Sequence, residues 1–332
     1  MKYALIAGLC LAFSGGEEAE TSNLKFKQVK KWEINLPNEV WTNIGDHIEI
    51  GNNFSVNNTE FKLEIDTNAD GKTDADIKGS GGEALLRGKR EDGSKFSYAI
   101  RVRPASDGWQ YACSTLMSTK VNGINISLID QNNNGIWNEI GVDAIIVGKG
   151  DSASYLSEVV NLDGDLFTLS VSNHGDTVSI TPYEGEQGLL NVVEGYNSKG
   201  KLINAVFTSI DGKHSFELSN SKNGLNVPVG EYELTRAIVK KGIENVTVRQ
   251  GSMKTISIIS GKENVLAWGG PLRIDFETNR TDPETITVQL PKFYGSAEEE
   301  YFDFFPGGKS PKIIATDKKT GKEIWSGKFC ES

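Results

Sequence analysis

Short runs that are apolar at every second position recur along the whole chain, and this alternation limits its fold more than any other feature. Phe61 to Ile65, Phe96 to Val102, Ile124 to Ile129, Leu166 to Val171, Val178 to Ile180 and Ile286 to Leu290 all show it. A strand turns successive side chains to opposite faces, so each run can place one face on a core and the other in water. Asp-Gly pairs at Asp92-Gly93, Asp163-Gly164 and Asp211-Gly212 punctuate the runs. They supply the positive φ that tight hairpin turns need. Helix-forming runs of Ala, Leu, Glu and Lys are nearly absent, and only Ser152 to Val160 has a helical spacing. The expected fold class is all-β, built from antiparallel β-sandwich modules.

A chain of 332 residues has room for two or three such modules. Residues 17–187 read as a β-rich region, 188–268 as a small sandwich and 269–332 as a C-terminal β module. The last is expected to close on a hairpin, Lys312 to Ala315 and Glu323 to Phe329, turning through Asp317 to Gly321. The first region contains a weak repeat. Leu63 to Gly71 parallels Leu128 to Gly135, and Glu91 to Phe96 parallels Leu162 to Phe167. Val227 to Leu234 has a Pro-x-Gly-x-Tyr-x-aliphatic pattern that resembles small immunoglobulin-like or prealbumin-like modules. That resemblance implies a turn at Pro228 and Gly230, with Tyr232 entering the core.

Residues 1–16, MKYALIAGLCLAFSGG, combine one Lys, an apolar stretch and small residues before an acidic segment. These are the parts of a secretory signal peptide. The stretch is shorter than the ~20 apolar residues of a membrane-spanning helix, and no other segment is a candidate span. The expected location is therefore exported: periplasm, cell surface or extracellular space. Leu9 precedes Cys10 where a lipidation signal wants a small residue. Cys113 and Cys330 could pair in an oxidising compartment, but nothing in the sequence brings them together. Lys and Arg number 35 against 45 Asp and Glu. That acidic balance argues against nucleic acid as a partner.

Two loops have oxygen-rich spacing. In Asp66-Thr67-Asn68-Ala69-Asp70-Gly71-Lys72-Thr73-Asp74, oxygen side chains occupy positions 1, 3, 5 and 9, with Gly at 6. Calcium takes six to eight hard oxygens at about 2.3–2.6 Å, and a short loop of this kind can wrap one ion. The backbone carbonyl of Lys72 can add a ligand. Asp130-Gln131-Asn132-Asn133-Asn134-Gly135-Ile136-Trp137-Asn138 repeats the pattern, offering Asp130, Asn132, Asn134, the Ile136 carbonyl and Asn138. Asp76, Glu139 and Asp143 are further carboxylates, offset from the usual places. Ligand charge helps set affinity, so the second loop is expected to bind more weakly.

Both loops resemble the D-x-D-x-D-G loop shared by EF-hands, dockerins and the calcium hairpins of integrin-type propellers. The propeller version lies between strands and uses position 9, which is what this chain offers. The EF-hand version needs an acid at position 12, where Ile77 and Gly141 stand. The resemblance implies Ca2+ held by strand-flanked loops, in an exported bacterial β-rich protein.

Signals for catalysis are weak. The Gly-Lys-Thr and Gly-Lys-Ser triplets at Gly71 and Gly308 lack the upstream glycine of a P-loop, having Asp66 and Asp303 there instead. The three histidines, His47, His174 and His214, form no metal-hydrolase motif and read as surface residues, the last two at or beside turns. Glu298 to Glu300 reads as a solvated turn entering a buried strand. The expected function is a non-enzymatic, calcium-binding structural or binding protein, with a cell-envelope glycan or protein as partner. The alternative is a secreted hydrolase acting on polysaccharide or peptide.

Overall fold

A computed structural model describes residues 19–59, 61–280, 282, 285–307 and 312–328. The segment read as a signal peptide, Cys10 and Cys330 lie outside the described residues, whereas Cys113 is buried. Among the described residues every regular element is a strand. The alternating runs form strands at the expected places. Leu63 and Ile65 in one, and Tyr98, Ile100 and Val102 in another, are buried, while Lys62, Glu64, Ser97, Arg101 and Arg103 between and beside them are more exposed; Ala99 alone among these neighbours is enclosed.

Two topologically equivalent units make up the first half. The first comprises β3 (Thr42–Asn43), β4 (His47–Glu49), β5 (Asn53–Thr59), β6 (Lys62–Ile65), β7 (Ala75–Lys78), β8 (Gly82–Lys89), β9 (Lys95–Ala105) and β10 (Gly108–Cys113), preceded in the chain by β1 (Glu20–Asn23) and β2 (Lys25–Gln28). It forms two sheets, ordered β4-β5-β6-β7 and β8-β9-β10-β3. Then come β11 (Thr115–Val121), β12 (Ile124–Ile129), β13 (Ala144–Val147), β14 (Ser154–Tyr155), β15 (Val159–Leu162), β16 (Asp165–Val171) and β17 (Thr177–Pro182). With the two N-terminal strands they form sheets ordered β2-β11-β12-β13-β14 and β15-β16-β17-β1. The sequence repeat is therefore a repeat of topology, and the first unit is inserted into the second between β2 and β11. A single hydrophobic core joins them, from Leu24 through Phe54, Leu86 and Ile126 to Ile180.

The segment Ser152 to Val160, expected to be helical, is extended and contributes β14 and the start of β15. Its apolar residues Ala153, Leu156, Val159 and Val160 are all enclosed, but so are Ser152, Ser154 and Ser157 beside them. The apolar ones reach the core from two short strands separated by a turn. Ser157 Oγ fixes that turn, donating to the Val159 carbonyl at 2.7 Å and accepting the Ser215 N–H at 3.2 Å.

A second core gathers Leu190, Phe207, Val227, Tyr232, Trp268 and Tyr301, joined by Val159 and Leu166 of the second unit. Two long antiparallel strands, Lys201–Ser209 and Gly230–Lys241, carry it. Tyr232 is fully buried, as the Pro-x-Gly-x-Tyr pattern implied, and its hydroxyl donates to the Pro228 carbonyl at 3.0 Å. The sheet runs across the expected 268/269 boundary, because Glu244–Arg249 pairs with Glu300–Phe305, which pairs with Lys292–Tyr294. Glu299 is not solvated but fully buried. It accepts the N–H groups of Gly269 and Ala297 at 2.7 and 3.0 Å and the Tyr301 hydroxyl at 3.2 Å. The terminal hairpin pairs Lys312–Thr316 with Glu323–Lys328, and Asp317 caps its turn through Thr320. Among the described residues no helix is long and apolar enough to cross a membrane.

Candidate metal loops

Both oxygen-rich loops occupy the same place in their units. Residues 66–74 join β6 to β7, and residues 130–143 join β12 to β13. Each begins after a buried isoleucine, Ile65 or Ile129, that pairs with the alanine following the loop, Ala75 or Ala144. The second loop is thus five residues longer.

Their first halves share the bonds to positions 1 and 5 and differ at position 3, where Asn68 Oδ1 accepts the Asp70 N–H and Asn132 Oδ1 accepts none. Asp66 accepts the N–H of Asp70 on Oδ1 at 3.3 Å and that of Gly71 on Oδ2 at 2.7 Å. Asp130 accepts Asn134 N–H on Oδ1 at 3.2 Å and Gly135 N–H on Oδ2 at 2.6 Å. At position 5, Asp70 and Asn134 each take the N–H of position 7, from Lys72 and Ile136, at 2.9 and 2.8 Å. Positions 4 and 6 are left-handed in both, with φ of 59° and 84° at Ala69 and Gly71, and 64° and 80° at Asn133 and Gly135. Asp, Asn and Gly accept such angles readily. The chain therefore curls round the first aspartate in both loops.

The second halves differ. In the first loop Asp74 closes the turn, accepting the N–H and hydroxyl of Thr67 at 3.0 and 2.6 Å. Asn68, Asp70, Lys72 and Asp74 are exposed there. In the second loop Asn138 is exposed, and Asp143 stands in the place of Asp74, before the alanine. Asp143 accepts Gln131 N–H at 3.4 Å and Glu139 N–H at 2.9 Å. Glu139 Oε2 meets the side-chain amides of Asn132 and Asn134 at 2.9 and 2.6 Å, while Asn132 Oδ1 is buried without a partner. Turning the Asn132 amide over, whose Oδ1 has no partner to lose, exchanges nitrogen for oxygen beside Glu139, whereas the Asn134 amide is fixed by the Ile136 N–H on its Oδ1. Asp76 lies on β7 and pairs with Lys62 at 3.2 Å, outside the loop.

Burial also separates them electrostatically. Asp130 and Asp143 are fully enclosed. Desolvation pushes the Asp130 carboxyl up to about 6, against the pull of the Tyr98 hydroxyl, which donates to it at 2.8 Å, and of the loop N–H groups. Desolvation, with Asp130 and Glu139 nearby, pushes Asp143 up to about 8. A buried carboxylate without a cation is costly to ionise. The donor set of both loops is carboxylate, amide and backbone carbonyl, which suits a hard cation such as calcium or magnesium rather than zinc or copper. Among the described residues no cluster of three or more His, Cys, Asp or Glu gathers at one point, so amide and carbonyl oxygens must complete any coordination shell here.

The charges legible within nine residues of Asp130 understate this loop, because Glu139 and Asp143 come from beyond position 9. The alignment of Ala75 with Ala144 is the sequence signal that finds Asp143. Comparison with known proteins adds no analogy: no family model, no curated protein and no solved structure matches the chain.

Proposed function

We propose that this is an exported, non-enzymatic structural or binding protein that holds calcium in its two strand-flanked loops. The observation carrying the reading is the duplication itself. One curled-loop geometry, built on a buried aspartate, occurs at equivalent hairpins of two equivalent units. An ordinary turn has no need of that agreement. In this reading calcium pins acidic segments that would otherwise repel, and it replaces water around Asp66, Asn68, Asp70, the Lys72 carbonyl and Asp74. In the second loop Asp130, Asn132, Asn134 and the Ile136 carbonyl do the same, with Glu139 and Asp143 supplying the missing charge. Export follows from the composition of residues 1–16, and the mature chain begins near Glu17.

A cation that binds only the folded state stabilises it by RT ln(1 + [L]/Kd), about 2.7 kcal/mol at a hundredfold excess over Kd. Millimolar calcium is expected to raise the melting temperature and a chelator to reverse it. Magnesium should do less, since it keeps its waters and demands tighter geometry. Asp66→Ala and Asp130→Ala should each remove part of the shift. Equal melting temperatures in calcium and in chelator would sink the reading. N-terminal sequencing of secreted material tests the export half.

A further inference from the structure

A cleft of about 420 Å3 opens where the two units meet, with walls from both and from the second metal loop. Its floor is aromatic. Phe26 is 37% exposed, and Phe96 is partly buried with the Arg90 guanidinium 5.5 Å from its ring centre. Beneath them Tyr98 and Trp137 pack edge to face, centroids 5.9 Å apart. The rim is made of polar groups. Arg90 pairs with Asp176 at 3.3 Å, and Lys95, Asn173 and His174 stand beside them. The side chains of Lys95, Asn173 and His174 make no hydrogen bond to another described residue.

We propose that this cleft binds a neutral saccharide unit. A pyranose ring has an apolar C–H face and a girdle of hydroxyls. The exposed Phe26 ring, backed by the partly buried Phe96, suits the face, and the amide, imidazole and ammonium groups of the rim suit the hydroxyls, each able to bridge neighbouring oxygens. The rim charges nearly balance, with Arg90 and Lys95 set against Asp176 and the nearby Asp92. Nothing there selects a phosphate or a polyanion. A wholly apolar ligand would strip water from the rim and leave its polar groups unpaired, which costs free energy. The volume lies within the range of small-molecule sites. The wall is also preformed. Trp137 N–H donates to the Asn173 carbonyl at 2.9 Å, and Gly175 packs so closely on Trp137 that a Cβ would fall 2.8 Å from its ring.

The proposal deepens the binding-protein reading by naming its site and ligand class, and it does not depend on calcium. The test is calorimetric titration of the full chain with glucan, mannan, galactan, xylan and chitin oligosaccharides of two to six units. At least one is expected to bind. Phe26→Ala should weaken that binding about tenfold or more, and Asn173→Ala several-fold, a loss of about 1.4 kcal/mol per factor of ten, with melting temperatures close to the parent's. No binding by any member at millimolar concentration, or binding unchanged by both substitutions, overturns the proposal. Titrations repeated in chelator keep it apart from the calcium reading, which the melting temperature alone decides.

Discussion

The loop after Ile65 and the loop after Ile129 share one backbone curl and surround it differently. The first keeps its acids within nine residues and leaves most of them in water. The second has neutral amides in those positions and meets Glu139 and Asp143 from a five-residue extension of which only Asp143 is buried. The same hairpin position can therefore carry exposed acids that lie within the motif, or an enclosed acid that arrives from farther along. Counting acids within the motif ranks the first loop as tighter. Adding the borrowed carboxylates brings the second level with it in charge, at a higher desolvation cost.

The largest expected difference is in stability without metal. Asp130→Ala should cost about 3 kcal/mol, since it strands the Tyr98 hydroxyl inside the core and frees two part-buried loop N–H groups. Asp66→Ala should cost about 1.5 kcal/mol, because most of its loop can turn to water instead. Urea titrations in chelator measure both. Equal losses would remove the distinction between enclosed and open loops.

The pH response sharpens the same contrast. The folded state holds Asp130 and Asp143 up to about 6 and about 8, against ordinary values near 3.8. Between those limits the native state binds more protons than the unfolded chain, so stability in chelator falls as pH rises from about 4 to about 8 and then levels. Asp143→Asn should flatten most of that slope. Burial also raises the Glu217 and Glu299 carboxyls, which leaves a residual slope. A slope identical in parent and variant would show that Asp143 is not held protonated. Calcium should oppose the fall, since its ligands must be ionised.

The smallest effect separates the sixth positions. Ala at Gly71 or at Gly135 is strained by the left-handed backbone, by about 1–2 kcal/mol. At Gly71 the new methyl group meets nothing within 4 Å, whereas at Gly135 it lies 3.1 Å from Ile50. Gly135→Ala should therefore cost about 1 kcal/mol more. Thermal melts of the pair decide it, and equal shifts would place the second loop as loosely as the first.

What the sequence reveals follows from how local each cause is. β6 and β9 are legible because burial on one face imposes period two within a few residues. Tyr232 is legible because its hydroxyl partner, Pro228, is four residues away. β1 and β2 are not, since they bury almost nothing of their own and exist by pairing with β17 and β11. Ser152 to Val160 misleads because a strand, a turn and a strand happen to place apolar residues at helical intervals. Glu299 misleads because three consecutive acids look solvated until the backbone of Gly269 supplies a donor. In the two oxygen-rich loops the aspartate and glycine framework is local and readable, and Asp143 is visible as an offset carboxylate, but its equivalence to Asp74 shows only once the repeat is aligned through its flanking strands. The cleft has no sequence signature, because its walls come from distant segments.

The insertion of one unit into the other has a consequence for chain entry. A polypeptide delivered N-terminus first, whether from a ribosome or through a translocation channel, presents β1 and β2 before any partner exists. The inserted unit, β3 to β10, then emerges as a contiguous stretch that can close on itself. Only afterwards does Thr115 arrive opposite Gln28, and Ile180 later still opposite Glu20. Closing so long a span adds little entropy beyond that of a shorter one, but non-local pairing is slow. β2 thus waits for the whole inserted unit, and β1, the earliest strand to appear, is among the last of its core to be hydrogen-bonded; for that interval their edges are open to a chaperone or to another chain.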